Sequence, residues 1–195
     1  MKKMKISIII GLLSALLLSS CGDSDESYEF YPKPISGSKV VFPTKEYVMF
    51  QSECNYTFEI PVYSNLFLDT MTNSCNANLR FENFNAELYL TYINVDTNLM
   101  YNIEYSRKLA YDHSIKADAI EEAVIKNAVN DTYGVQYKIK GNAASNYQFY
   151  VTDSTDHFLR GALYFNTAPN YDSIQPTLDF MMADFDHMLK TISWK

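Results

Sequence analysis

Leu18-Ser19-Ser20-Cys21 is the run whose residue types and spacing prescribe a specific reaction. It reads as a lipobox: a branched apolar residue, two small residues and an obligatory cysteine. The Cys21 thiol takes a diacylglycerol as a thioether. A peptidase that accepts only small side chains before its cut then frees the Cys21 amine, which can take a further acyl chain of the palmitate class. Two or three buried chains, at roughly 0.8 kcal/mol per methylene, anchor stably where one does not. The preceding residues support this reading. Met1-Lys2-Lys3-Met4-Lys5 is a basic n-region, and Ile6 to Leu18 is an apolar run too short to span a bilayer securely. Residues 1–20 are therefore expected to be a signal peptide. An ordinary secretory peptide with an incidental cysteine is the alternative.

The other chemistry-bearing residues are sparser. Cys54 and Cys75 remain once Cys21 is lipidated, an even pair in an oxidising compartment. A structural disulfide closing a loop of about twenty residues is the favoured reading, against two free thiols. A redox or zinc role would need a CxxC spacing or further ligands. Of the three histidines, His113, His157 and His187, no two stand at metal-ligand spacing, so no metal and no cofactor is expected. His187 falls near the end of a C-terminal helical pattern, where a cation suits the helix dipole. The chain has no GxSxG, HExxH, P-loop or dinucleotide fingerprint, and no catalytic residue is assigned. Two polar runs stand out, residues 111–118 and residues 140–146. If His113, Lys116, Asn142, Ser145, His157 and Arg160 converge, they make a binding or docking pocket for an anion, peptide or glycan, with Asp118 in the same run. Otherwise they cap turns and satisfy buried backbone groups. A Ser–His or Ser–Lys hydrolase built from Ser145, His157 and Lys116 is a third reading. Asp69-Thr70-Met71, Asp153-Ser154-Thr155 and Asp172-Ser173-Ile174 resemble a short acceptor motif for O-glycosylation, with Thr70 the best placed.

Charge and composition narrow the partners. Cutting before Cys21 removes Lys2, Lys3 and Lys5 and no acid, so the formal charge goes from −7 to −10. So acidic a chain has no phosphate-seeking footprint, and nucleic acid is excluded as an expected partner. It also repels anionic lipid, so the membrane is reached through the anchor on Cys21. Gly22 to Glu26 is small and acidic, a solvated tether. Acidic residues directly after a lipidated cysteine also resemble surface-export signals, which leaves the leaflet open. Sixteen Tyr and twelve Phe suit half-buried sheet surfaces more simply than a sugar platform.

The elements that would position these residues follow from periodicity. Residues 21–38 are tether and an extended lead-in containing Pro32 and Pro34; one domain is expected over 39–195. Val40-Val41-Phe42 reads as a short strand stopped by Pro43. Tyr56, Phe58 and Ile60 alternate as a strand. Asn65 to Asn76 reads as a loop. Leu79–Phe81 and Ala86–Tyr92 form a hairpin across Glu82–Asn85. Asp96 is the expected N-cap of a helix to about Asp112, with Leu99, Ile103 and Ala110 on one face. Ala119–Lys126 has helical propensity, but the turn at Asn130-Asp131 and the alternation over 133–139 make it the partner strand of a hairpin. Asn146–Val151 and Phe158–Phe165 form another. A last helix is capped by Ser173, carries Pro176 in its first turn, and buries Leu178, Met181, Phe185, Met188, Leu189 and Ile192. The sum is α+β: an antiparallel sheet with packed helices. A late amphipathic helix ending in an aromatic residue, after a run of hairpins, resembles the PsbP-like sandwich.

Longer runs carry a family resemblance. They are Leu109-Ala110-Tyr111 and His113, Ile115 to Glu122, Lys140 to Asn146 with Gln148-Phe149, Thr152-Asp153-Ser154, and His157 to Asn166. With Cys54 and Cys75, Phe84-Asn85-Ala86 and the terminal Trp194-Lys195, the chain from about Tyr28 onward resembles the gliding-motility lipoprotein GldD family. The resemblance implies a non-catalytic accessory or stabilising component of the gliding apparatus and of the type IX secretion system. It further implies an outer-membrane placement and partners among motility and secretion proteins of the envelope. It implies no catalytic residues. One position departs: where Leu-His-Leu-Ser-Tyr is expected, this chain has Leu88-Tyr89-Leu90-Thr91-Tyr92. Tyr89 cannot ligate metal or shuttle a proton at neutral pH as His would.

Overall fold

A computed structural model describes residues 41–51, 53–69 and 75–195. The signal segment, Cys21, the tether and Thr70 lie outside the described residues. Alternating apolar residues build most of the strands. β1 (Tyr47–Phe50), β2 (Tyr56–Pro61) and the C-terminal β10 (Ser193–Trp194) form a three-stranded sheet in the order β1-β2-β10. The large antiparallel sheet contains β3 (Asn65–Leu68), β4 (Ala77–Phe81), β5 (Ala86–Asn94), β6 (Ala117–Asn127), β7 (Thr132–Gly141), β8 (Ser145–Thr152) and β9 (His157–Phe165). Its order is β3-β4-β5-β9-β8-β7-β6.

Two helices, α1 (Leu99–Tyr111) and α2 (Tyr171–Thr191), cover opposite faces of that sheet. The expected apolar stripe of α2, Leu178 to Ile192, is buried against Leu79, Phe81, Leu88, Leu90, Tyr147, Phe149, Leu159 and Leu163, and β2 adds Tyr56, Phe58 and Ile60. Phe185 stacks on Tyr147 at 4.8 Å and meets Phe81 edge-on. On the other face α1 lays Ala110, Ile103 and Leu99 over Tyr137, Ile139, Tyr150 and Phe158. β8 is covered from both sides, and all eight of its residues are buried.

Four local expectations are corrected. Residues 41–46 form no strand; Phe42 instead stacks on Phe180 of α2 at 4.4 Å, and the first strand begins at Tyr47. The supposed loop after Asn65 opens with β3, paired to β4 from Asn65↔Arg80 to Leu68↔Ala77. Its alternation is masked because the outward residue, Phe67, is also apolar; it lies under the Arg80 guanidinium at 5.0 Å. α1 starts at Leu99 rather than after Asp96. The Val95 N–H is still held by the Asp156 carbonyl, and Asn98 accepts from the Asp96 N–H, so the chain turns only at Asn98. Asn170, not Ser173, caps α2 by accepting from the Ser173 N–H, which moves Pro176 past the first turn. The hairpins at Glu82–Asn85, Asn130-Asp131 and Thr152–Asp156 stand as expected, with Asn85 and Asp131 left-handed, a conformation these side chains tolerate. Ala117–Asn127 is a strand despite its propensity, because it pairs with β7 along its length.

The described N-terminal segment is pinned to α2. Asp184, only 1% exposed, receives Lys45 Nζ at 2.6 Å, the Tyr47 hydroxyl at 3.0 Å and the Tyr63 hydroxyl. Lys45 also donates to the Phe180 carbonyl and sits over the Phe180 ring. Burial lowers the Lys45 pKa against the pull of Asp184. Burial, with the bond to Asp184, raises Tyr47 to about 12. His187 does not serve as the helix cap. It stacks on Tyr47 at 3.7 Å and shares a 2.5 Å hydrogen bond with Glu59, while the Thr191 hydroxyl bonds the His187 and Met188 carbonyls. Cys54 and Cys75 form a disulfide with Cα atoms 5.6 Å apart.

Candidate functional site

The register of β9 against its neighbours creates the site. Phe158, Arg160, Ala162 and Tyr164 point to the face that α1 partly covers. Arg160 stands opposite Thr91 on β5 and Tyr150 on β8. Ala162 stands opposite Tyr89 and Gln148, and Tyr164 opposite Glu87. Directly opposed side chains share a face, and diagonal ones are within reach of long side chains. A methyl group at Ala162, ringed by Tyr89, Arg160, Gln148 and Tyr164, therefore leaves a depression. It is a cavity of about 510 Å³, lined by Tyr89, Arg160, Ala162, Tyr164, Phe165 and Asn166 and open to solvent. Tyr89 meets Tyr164 edge-on at 5.6 Å.

Its electrostatics are uneven. The Arg160 guanidinium donates to Gln148 Oε1 at 2.6 Å and has no carboxylate within ion-pair distance among the described residues. Burial lowers its pKa, with Tyr164 and Tyr105 acting in the opposite sense, so both tyrosines lie within electrostatic reach. Gln148 is 2% exposed, and its Nε2 is a buried donor without a hydrogen-bond partner among the described residues. The nearby acid, Glu87, is already engaged by Arg80 at 3.4 Å and by the Tyr89 hydroxyl at 3.3 Å. His113 approaches from the turn after α1. Burial lowers its pKa, Asp112 raises it, and the Arg160 charge lowers it further.

The residues singled out from sequence divide into three places. His113 and Arg160 share the cavity side. Lys116, Asp118, Asn142 and Ser145 gather at the corner between β7 and β8. There Gly141, at φ +100°, receives the β6 bulge so closely that an added Cβ would lie 2.7 Å from the Asp118 backbone nitrogen. The small residues of this corner thus admit the chain's own backbone. Asn142 accepts from the Tyr171 N–H at the start of α2, and Asn146 donates to the Ile139 and Gly141 carbonyls. Ser145 is 0% exposed and donates to the Tyr147 carbonyl. His157 lies at the far end of β9, bonded to the Tyr92 hydroxyl at 2.7 Å and stacked on Trp194. Ser145 pairs with Tyr164, seven residues along β9 from His157, so the two are about 23 Å apart at 3.3 Å per residue. The Ser–His arrangement is not formed. Among the described residues no group of three or more His, Cys, Asp or Glu side chains could hold a metal ion.

Gln148, Ala162 and Tyr164 were not anticipated as site residues, and Tyr89 was noted only as a departure. Gln148 carried a signal, an amide set between the aromatic residues Tyr147, Phe149 and Tyr150.

Comparison with known proteins extends this picture. No curated protein matches the chain. Among solved structures it is similar to the solution structure of cyanobacterial PsbP (CyanoP) from Synechocystis sp. PCC 6803, at 11% identity and a TM-score of 0.49, covering 82% of this chain and 99% of that one. The profile of the family described as gliding motility lipoprotein GldD matches residues 27–194, which takes in every described strand and helix. The chain belongs to the gliding motility lipoprotein GldD family.

Proposed function

We propose that this chain is a lipid-anchored, non-catalytic accessory component of the gliding-motility apparatus that also supports type IX secretion, held on the outer membrane by acylated Cys21. The family match over residues 27–194 carries the reading. The separation of Ser145 from His157 along β9 and the full burial of Ser145 support a non-catalytic role. No described helix is long and apolar enough to cross a membrane, which fits attachment through the N-terminal lipid. The test is deletion in a gliding host, with colony spreading and secreted protein measured after complementation. The wild-type chain restores both, and Cys21→Ala restores neither. Normal spreading and secretion in the deletion strain overturns the proposal. A second reading, an envelope binding module, is favoured by one observation: the carboxylate-free Arg160 in an open, tyrosine-walled cavity.

A further inference from the structure

We propose that the Arg160 cavity binds a carboxylate carried by an acidic segment of a protein partner. This deepens the accessory-component reading, on which it rests for the existence of such a partner. Three observations converge. The first is charge. A half-buried guanidinium without a counter-charge is costly, because desolvation is not offset by pairing. Six cations are paired with acids: Lys45 with Asp184, Arg80 with Glu87, Lys108 with Asp112, Lys138 with Asp179, Lys140 with Glu121 and His187 with Glu59. Arg107, Lys116, Lys126 and Lys190 are in none of these pairs, but they are exposed to water, whereas Arg160 is half-buried. In place of an acid Arg160 has a neutral amide oxygen.

The second is donor geometry. Gln148 must turn Oε1 toward Arg160, which leaves its Nε2 donor unmatched beside the guanidinium. A carboxylate in the cavity supplies acceptors to the guanidinium fork by parallel hydrogen bonds, while Gln148, buried beneath the lining, senses the pairing through its bond to Arg160. The Glu87 charge does not compete for Arg160, being held by Arg80 and Tyr89.

The third is shape and surroundings. The depression over Ala162 opens broadly to solvent, so a small free acid seated there would stay largely wet, whereas dedicated small-molecule sites bury most of their ligand. A partner chain brings its own bulk to cover the opening. Its rim suits that role. Tyr89 is 42% exposed, and on α1 Tyr105 is 48% and Tyr101 68% exposed, the latter two stacked at 6.0 Å. Tyrosine around a central arginine is the composition of interface hot spots.

The full lipidated chain in detergent micelles, with isotope-labelled arginine and glutamine side chains, is titrated with the capped peptide acetyl-Gly-Glu-Glu-Gly-amide, its Gln-Gln counterpart and free glutarate. The acidic peptide is expected to shift the Arg160 Nε–H and Gln148 amide resonances saturably, while the Gln-Gln peptide leaves them in place. Glutarate binds about tenfold more weakly. Arg160→Gln abolishes the shifts, and Arg160→Lys keeps a residue of binding, a point charge without the fork. Ala162→Leu fills the depression and abolishes binding with Arg160 intact; Tyr89→Ala, at an exposed position, weakens it and serves if the arginine variant fails to fold. Unmoved resonances, equal shifts by the Gln-Gln peptide, or glutarate binding as tightly as the acidic peptide each overturn the proposal. The titration uses no cells, so its failure is separate from the failure of the deletion phenotype on which the accessory role stands.

Discussion

Asp184 is the residue on which the N-terminal segment depends. A carboxylate 1% exposed is tolerated because Lys45 and two tyrosine hydroxyls supply three donors. Asp184→Ala strands the Lys45 ammonium against Phe180, and truncating one partner of a buried pair costs roughly 3 kcal/mol. Urea unfolding should show that loss; a variant as stable as the wild type would mean the pair is dispensable. The same cluster sets an alkaline limit. Tyr47 is raised from 10.0 to about 12, chiefly by burial and then by its bond to Asp184. The folded chain thus keeps a proton that the unfolded chain releases near pH 10. Stability present below that value falls as pH climbs from about 10 toward 12. Tyr56, Tyr63 and Tyr137 are pushed the same way by burial. Lys45, lowered, acts in the opposite sense over its own interval, but the raised tyrosines outnumber it. The urea midpoint should hold up to about pH 10 and drop above it, and Tyr47→Phe should flatten the drop. A midpoint unchanged to about pH 11 would contradict the assignment.

Among elements, β9 is the one on which the site is built, and its glycine, Gly161, is a packing requirement. Gly161 stands opposite Phe149, whose ring lies over its bare Cα; an added Cβ would come within 2.1 Å of that ring. Gly161→Ala should lower stability by about 2 kcal/mol through overpacking. Phe149→Leu in the same chain should recover part of the loss, because the two changes share one contact. Calorimetric melting of the single and double variants checks this, and strict additivity would argue against the ring-on-glycine contact. At the sheet's other end the disulfide joins the approach to β2 with the approach to β4, across a sequence separation of 21. Cys54→Ser with Cys75→Ser should cost about 3 kcal/mol by the chain-entropy estimate. Dithiothreitol should lower the urea midpoint of the wild type and leave the double variant unaffected.

For the whole molecule, attachment and fold are separable. The domain carries its core between α2, the three-stranded sheet and one face of the large sheet, and nothing described resembles a membrane-crossing helix. The chain is strongly acidic, with a formal charge of −7, so it has no electrostatic hold on anionic lipid. Cys21→Ala should therefore leave the membrane pellet for the soluble fraction while its circular dichroism spectrum stays native. A pelleted Cys21→Ala chain would reveal a second means of attachment.

Local pattern decided much of this protein in advance. The alternation in β2, β5, β7 and β9 and the stripe of α2 are written in neighbouring residues, since side chains two apart on a strand, or three and four apart on a helix, must share an environment. The lipobox expected at Leu18 to Cys21 is likewise a string of adjacent residues, and the family runs are long enough to name the family. What sequence misplaced were ends and irregular segments: Phe67 hid a strand, and the caps at Asn98 and Asn170 were won by contacts from Asp156 and Asn142, distant in the chain. The site was legible only in fragments. His113 and Arg160 were singled out, but so were His157 and Ser145, which the length of β9 holds apart. That Ala162 faces Tyr89 on one side and Gln148 on the other depends on the pairing register of three strands. No residue within reach of Arg160 along the chain could disclose that its charge is left without an acid. Register and charge balance are properties of contacts between distant segments, so only the tertiary structure decided them.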